Sequence, residues 1–249
     1  MGNDAETRIQ LCGRLVARWQ GQRVDEDLPG RQGRLAFVYL TVNRHGTVSR
    51  DELADALWPS EPPAAVDSSL SAILSKLRRV LGPAALEGRS DLRLVLPAGG
   101  WVDLEAASDA IHRAESAVAR GDWTAAWGPA RVALHVSTRG FLPREEAPWV
   151  VERRAWLEDI RLRAHECVSA AGLGIGGPEL DAAVRSGRAL VGLAPHRESG
   201  YRALMQVLAA QGNVADALEV YDLLRRRLRD DLGIAPGQVT QDLYRRLLG

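Results

Sequence analysis

Between Ala64 and Leu81, Ser68, Ser75, Lys76 and Arg79 fall on one side of a stretch whose other side is leucine. Leu70, Ile73, Leu74, Leu77 and Leu81 follow the i, i+3, i+4, i+7, i+11 spacing of an amphipathic helix whose apolar stripe faces a core. The opposite side then points outward with Ser68, Ala72, Ser75, Lys76 and Arg79, and Ser71 and Arg78 stand at its edges. Ammonium and guanidinium groups bind phosphate oxygens and the guanine edge, and short hydroxyl side chains allow close approach to a groove. This is recognition chemistry for double-stranded DNA. A basic helix end also balances the helix dipole, so an ordinary solvated face is the competing reading of the same residues.

Bond-making chemistry finds less support. His45, His112, His135, His165 and His196 are scattered, with no H-x-x-x-H or H-x-x-E-H spacing. Cys12 and Cys167 lie far apart without metal-ligand spacing, and Cys167 falls on the apolar side of a helical pattern. The serines at 68, 69, 71 and 75 lack the strained strand-to-helix elbow of a hydrolase. The run GLGIGG at 172–177 has the glycines of a phosphate loop, but it follows the helical stretch AHECVSAA and not a strand. It therefore predicts an interhelical loop. No GxxxxGK[ST] is present. The expectation is no enzyme: no catalytic residue, no metal and no cofactor.

The elements that must position the outward face follow from the flanking pattern. Ile9 to Ala17 has β-type residues, and Gly21-Gln22 punctuates a turn into a short Arg23-Val24 strand, which predicts a small hairpin. Leu35, Val38, Tyr39 and Val42 recur at helical spacing before Gly46. Ser49 and Glu52 form a capping box opening a short helix with Leu53, Leu57 and Trp58 as its apolar side, stopped by Pro59, Pro62 and Pro63. After the leucine-striped helix, Gly82-Pro83 closes it, and Leu92, Leu94 and Leu96 alternate with Arg93 and Val95 as a strand would. Helix, short capped helix, long helix and strand pair is the order of a winged helix.

From Trp101 onward the pattern predicts helices only. Leu104, Ala107, Ile111, Ala114 and Val118 mark one, and a long one carries Trp149, Trp156, Ile160 and Cys167. GDWTAAWGPARVAL (121–134) and GNVADALEVYDLL (212–224) share a grammar in which Gly121 matches Gly212 and Ala126 matches Ala217. Ala183 stands 34 residues before Ala217, the tetratricopeptide (TPR) period, with Pro195 at that repeat's terminal proline. The predicted architecture is mainly α: an α+β winged-helix DNA-binding domain at 1–100, then an all-α TPR-like helical-repeat domain at 101–249. Trp123, Trp127, Trp149 and Trp156 could line an effector pocket there, with ordinary core packing as the alternative. Arg225, Arg226, Arg227 and Arg229 read as a solvated face balanced by Asp222, Asp230 and Asp231, with a partner surface as the alternative.

At 249 residues the chain has room for one large or two ordinary domains. Its 32 basic and 32 acidic residues cancel, with 13 of each up to and including Asp103 and 19 of each after it. Any basic surface must be local. Lys76 is the only lysine, and the abundance of arginine, alanine and glycine matches a high-GC coding bias. No apolar run approaches the ~18 residues of a membrane span. The N-terminal MGNDAETRIQ lacks the basic-then-apolar order of a leader, which predicts a cytoplasmic protein.

RQGRLAFVYL, SRDELADALWP and SSLSAILSKLRRVLG, in that order, resemble the OmpR-like DNA-binding domain of the SARP family of actinobacterial regulators. The later GDWTAAWGPARVAL, GFLPREEAPWVVERRAWLEDIRLRA and LAPHRESGYRALMQVLAAQGNVADALEVYDLLRRRLRDDLGIAP resemble that family's bacterial transcriptional activator domain. The resemblance implies a sequence-specific activator that binds promoter-proximal direct repeats beside a second protomer and contacts RNA polymerase. By position, Arg31 and Arg34 match the family's basic residues before the first helix, and Lys76, Arg78 and Arg79 match its recognition-helix cations. Where the family places glycine-tyrosine at the last wing strand, this chain has Ser90-Asp91-Leu92-Arg93-Leu94. Acidic Asp91 there opposes phosphate, so the recognition helix ranks above Arg89 and Arg93 as a DNA contact. Zero net charge and the altered wing support an alternative, a TPR-like adaptor with weakened DNA binding.

Overall fold

The computed structural model describes residues 6–249; residues 1–5, on which the leader reading partly rests, lie outside them. Most of the described chain is helical. It divides into two compact units that interleave along the sequence. One holds the chain up to Ala106 and Arg139–Leu157, the other Ala107–Thr138 and Glu158–Gly249.

In the first unit β1 (Arg8–Gln10), β2 (Val16–Trp19) and β3 (Gln22–Arg23) form an antiparallel meander. The predicted run from Ile9 to Ala17 is thus two strands, because Gly13 takes φ +81° and reverses the chain inside it. Next come α1 (Gly30–Val42), β4 (Val48–Ser49), α2 (Arg50–Leu57) and α3 (Val66–Leu81). The pair β5 (Leu86–Glu87) and β6 (Asp91–Leu94) then forms the wing hairpin. With β4 these make a three-stranded sheet in the order β4-β6-β5. The predicted alternation holds for Leu92 and Leu94, which are buried, and the strand ends before Leu96. The core of this part joins Leu35, Phe37, Val38 and Leu40 of α1, Leu53 and Leu57 of α2, and Leu70, Leu74 and Leu77 of α3.

Two later segments complete the unit. Trp101–Val102, a two-residue β7, pairs in parallel with β1 as the fourth strand of the sheet β3-β2-β1-β7. This corrects the expectation of helix alone from Trp101 onward. A two-residue strand shows no alternation, and its partner lies at the other end of the unit. Cys12 forms an antiparallel bridge with Phe141, which draws residues 139–157 into the same unit. Asp103 opens α4 (Asp103–Ala119) fully buried, and its carboxylate accepts the N–H groups of Leu11 at 2.8 Å and Cys12 at 3.0 Å. Burial pushes its pKa up, against the stabilising pull of these donors and of Arg139.

The second unit is helical: the rest of α4, α5 (Trp123–Ser137), the later part of α6 (Pro148–Ile175), α7 (Glu179–Leu193), α8 (Glu198–Ala210), α9 (Val214–Leu232) and α10 (Gln238–Leu248). The residues matched as a repeat are its contact points. Ala126, Ala183 and Ala217 are all fully buried, because a methyl group is all that fits between closely approaching helices. Tyr201 donates to the carbonyl of Pro195 at 2.8 Å, fixing the turn that the TPR pattern marks with proline. The bidentate pair of Arg163 with Glu115, at 2.6 Å, joins α6 to α4.

The GLGIGG run is only in part the loop expected from its composition. Gly172 to Ile175 finish α6, and only Gly176 (φ +76°) and Gly177 (φ +60°) make the turn. The reason is packing: a Cβ on Gly174 would stand 2.3 Å from the Trp123 indole, so glycine here seats an aromatic ring against the helix backbone. The four tryptophans are divided between the two units. Trp127 lines a cavity in the second unit, Trp149 and Trp156 a smaller one in the first. No helix among the described residues is long and apolar enough to cross a membrane.

Candidate nucleic-acid interface

The candidate interface is built on α3. Its stripe of Leu70, Leu74 and Leu77 is each 1% exposed, and burial of this kind is worth ~2 kcal/mol per leucine. That anchorage fixes the helix about its own axis and turns Ser68, Ser75, Lys76 and Arg79 outward, all four exposed. Among the described residues, neither Lys76 nor Arg79 has a carboxylate partner within salt-bridge distance. Ser68 donates to the carbonyl of Ala65 at 3.1 Å, closing the first turn of the helix.

Arg78 has a different position. It is partly buried and donates to the carbonyls of Leu86 (3.3 Å) and Gly88 (2.8 Å), so its guanidinium ties α3 to the wing hairpin. Gly88 is required at that bend: it takes φ +84°, and a Cβ there would meet the Asp91 carbonyl at 1.8 Å. Arg89 at the wing tip is exposed. Arg93 pairs with Glu87 across the hairpin at 2.8 Å, and Asp91 is exposed beside it.

Arg31 and Arg34, expected before the first helix, both lie inside α1, which already begins at Gly30; Arg34 is exposed with no salt-bridge partner among the described residues. Arg31 donates to Glu145 at 2.7–2.9 Å, so a carboxylate already occupies it. The predicted site residues therefore fall into two groups. Ser68, Ser75, Lys76 and Arg79 share one outward face, while Arg31 and Arg78 are engaged by the protein itself.

Three contacts were missed by the sequence reading: those of Arg50, of Tyr39 with Glu52, and of Trp149. Arg50, the first residue of α2, donates to Ser71 Oγ at 2.9 Å and to the Asp67 carbonyl at 3.2 Å, bracing the start of α2 against the start of α3. The capping box is half formed: Ser49 Oγ accepts the Glu52 N–H at 3.1 Å, but the Glu52 carboxylate takes the Tyr39 hydroxyl at 2.8 Å. Burial and this bond push the Tyr39 phenol up to about 12. Trp149 donates its indole N–H to the Ala56 carbonyl at the end of α2, at 3.1 Å, and meets the Tyr39 ring edge-on at 5.0 Å. The only sequence signal for these was the placement of Tyr39 and Ser49 near helix ends, since Trp149 is remote in the chain.

Comparison with known proteins places this architecture. Residues 102–248 match the family described as "Bacterial transcriptional activator domain". Over 242 residues the chain is 33% identical to the Regulatory protein AfsR of Streptomyces coelicolor, covering 97% of this chain and 24% of that protein. It is 32% identical over 228 residues to the Transcriptional regulator RedD of the same organism, covering 86% of this chain and 63% of RedD. The chain thus spans about a quarter of the length of AfsR and under two thirds of RedD. The solved structure of Mycobacterium tuberculosis EmbR in complex with a low affinity phosphopeptide superimposes with a TM-score of 0.83 at 25% identity, covering 97% of this chain and 65% of that one. The winged-helix order, the TPR-like helices and these matches agree: the chain belongs to the bacterial transcriptional activator domain family of SARP-type transcriptional regulators.

Proposed function

We propose that the chain is a sequence-specific DNA-binding transcriptional activator, with residues 1–100 as the DNA-binding domain and residues 101–249 as the activator domain. The observation that carries this reading is the outward face of α3, where Lys76 and Arg79 have no carboxylate partner among the described residues and stand over a leucine-anchored core. The helix enters the major groove; Arg79 reads a guanine edge, Lys76 meets phosphate, and Ser68 and Ser75 permit close approach. Arg34 holds the backbone and Arg31 joins it once released from Glu145. Arg78 contributes by fixing the wing. Two protomers occupy adjacent direct repeats beside a promoter, and the activator domain contacts RNA polymerase. These roles belong to a cytoplasmic protein.

The test is selection of genomic DNA fragments by the purified protein, followed by footprinting of the enriched sites. The reading expects direct repeats whose spacing follows the helical turn of ~10 to 10.5 base pairs. A palindromic site bound by a preformed dimer, or no enrichment, contradicts it.

A second reading, a protein-binding adaptor with weakened DNA affinity, is favoured by the neutralised cations: Arg31 on Glu145 and Arg93 on Glu87. It expects no enriched DNA and capture of protein partners by the helical unit.

A further inference from the structure

The second unit contains a cavity of about 430 Å³ whose lining joins opposite chemistries. Trp127 and Leu134 of α5 and Val168 of α6 give it apolar walls, and Arg131 and Arg185 bring two guanidinium groups to it. Arg131 lies over the Trp127 ring, 5.6 Å from the centroid, which holds the cation at the wall. Glu179 is the one carboxylate at the lining, and among the described residues neither arginine forms an ion pair with it. The cavity therefore carries a net positive charge beside its apolar walls.

His165 forms a further wall and is only 8% exposed. Its Nδ1 has no hydrogen-bond partner among the described residues. An unpaired buried nitrogen is unfavourable, and a polar group bound nearby relieves it. Neither the leucine-anchored interface nor the helix packing makes use of this arrangement. A cavity of this volume with an aromatic face and a few convergent charges has the composition of a small-ligand site.

We propose that this cavity binds a small carboxylate with an aromatic or aliphatic body, its anionic end between Arg131 and Arg185 and its body against Trp127, Leu134 and Val168. The site is independent of DNA binding and gives the regulator a receptor for an acidic metabolite.

The probes are phenylacetate and octanoate, with phenylacetamide as the neutral match to the first. Binding to the full chain is followed by the indole N–H resonance of Trp127, assigned with Trp127→Phe, and by the thermal midpoint. The proposal expects at least one acid to shift that resonance in a saturable way and to raise the midpoint. It expects phenylacetamide to do neither, and Arg131→Gln with Arg185→Gln to weaken binding by at least about tenfold. Both arginines are exposed, so the double variant keeps its fold, which its unliganded thermal midpoint checks. No response to either acid at about 100-fold excess over protein overturns the proposal. So does an equal response to phenylacetamide, or undiminished binding by the double variant.

Discussion

Arg78 donates to the carbonyl of Gly88 at 2.8 Å, so one side chain of the proposed recognition helix holds the turn of the wing. Its second bond, to the Leu86 carbonyl, fastens the other end of the same short segment. Arg78→Ala leaves two carbonyls without their charged donor and should cost about 1–3 kcal/mol of stability. Hydrogen exchange should rise selectively at residues 86–93. If exchange there is unchanged while DNA affinity falls, Arg78 acts on DNA directly and its wing contacts are incidental.

Gly174 gives a test whose sign is unusual. Replacing a helical glycine by alanine ordinarily stabilises by ~1 kcal/mol. At 174 the new methyl would stand 2.3 Å from the Trp123 ring, so Gly174→Ala should destabilise by about 1–3 kcal/mol. Denaturant unfolding of the variant reads the sign directly. A stabilised variant would mean that the ring has room to move.

His165 links stability to acidity. Burial holds its pKa at about 4 in the folded chain, against 6.5 in the ordinary state, and Arg161 adds to the effect. The unfolded chain therefore takes up a proton near pH 6.5 while the folded chain does not, and protons favour unfolding. Stability should be full above pH 6.5 and fall towards pH 4 by about 2–3 kcal/mol from this group alone. Glu115, held low by its bond to Arg163, adds a further loss below the usual carboxylate range. Denaturant midpoints at a series of pH values should show this slope, and His165→Gln should flatten its upper part. An unchanged slope in that variant would assign it elsewhere.

The pair of Arg31 with Glu145 bears on the interface. Exposed pairs of this kind contribute ~0–1 kcal/mol, so Glu145→Gln should leave stability nearly unchanged. It should also free Arg31 and strengthen binding to DNA at low salt. Equal binding by the variant and the parent would remove Arg31 from the interface.

The parts legible in the sequence were those written as periodicity. The stripe from Leu70 to Leu81 identified α3, its outward face and hence Lys76 and Arg79, because one helix repeats its pattern within a few turns. Ala183 and Ala217 identified the paired helices for the same reason. Features that depend on partners distant in the chain were not legible. The strand at Trp101–Val102 exists through its pairing with Arg8 and Ile9, and Asp103 is buried to accept from Leu11 and Cys12. The engagement of Arg31 by Glu145 and of Ala56 by Trp149 could not be seen from local spacing either. GLGIGG misled because composition reports what glycine permits, and here the absence of a side chain serves an aromatic neighbour.

The central claim is that the exposed face of α3 recognises DNA, and the most direct measurement is operator binding by the Lys76→Ala, Arg79→Ala double variant over a range of salt. Both side chains lie off the core, so the variant should melt like the parent. Loss of a guanine contact by Arg79 should cost ~1–3 kcal/mol and relax preference at one base position. Loss of a phosphate contact by Lys76 should weaken all sequences alike and reduce the salt slope by about one. A folded double variant that binds its operator as tightly as the parent, with the same salt slope, would contradict the account and favour the adaptor.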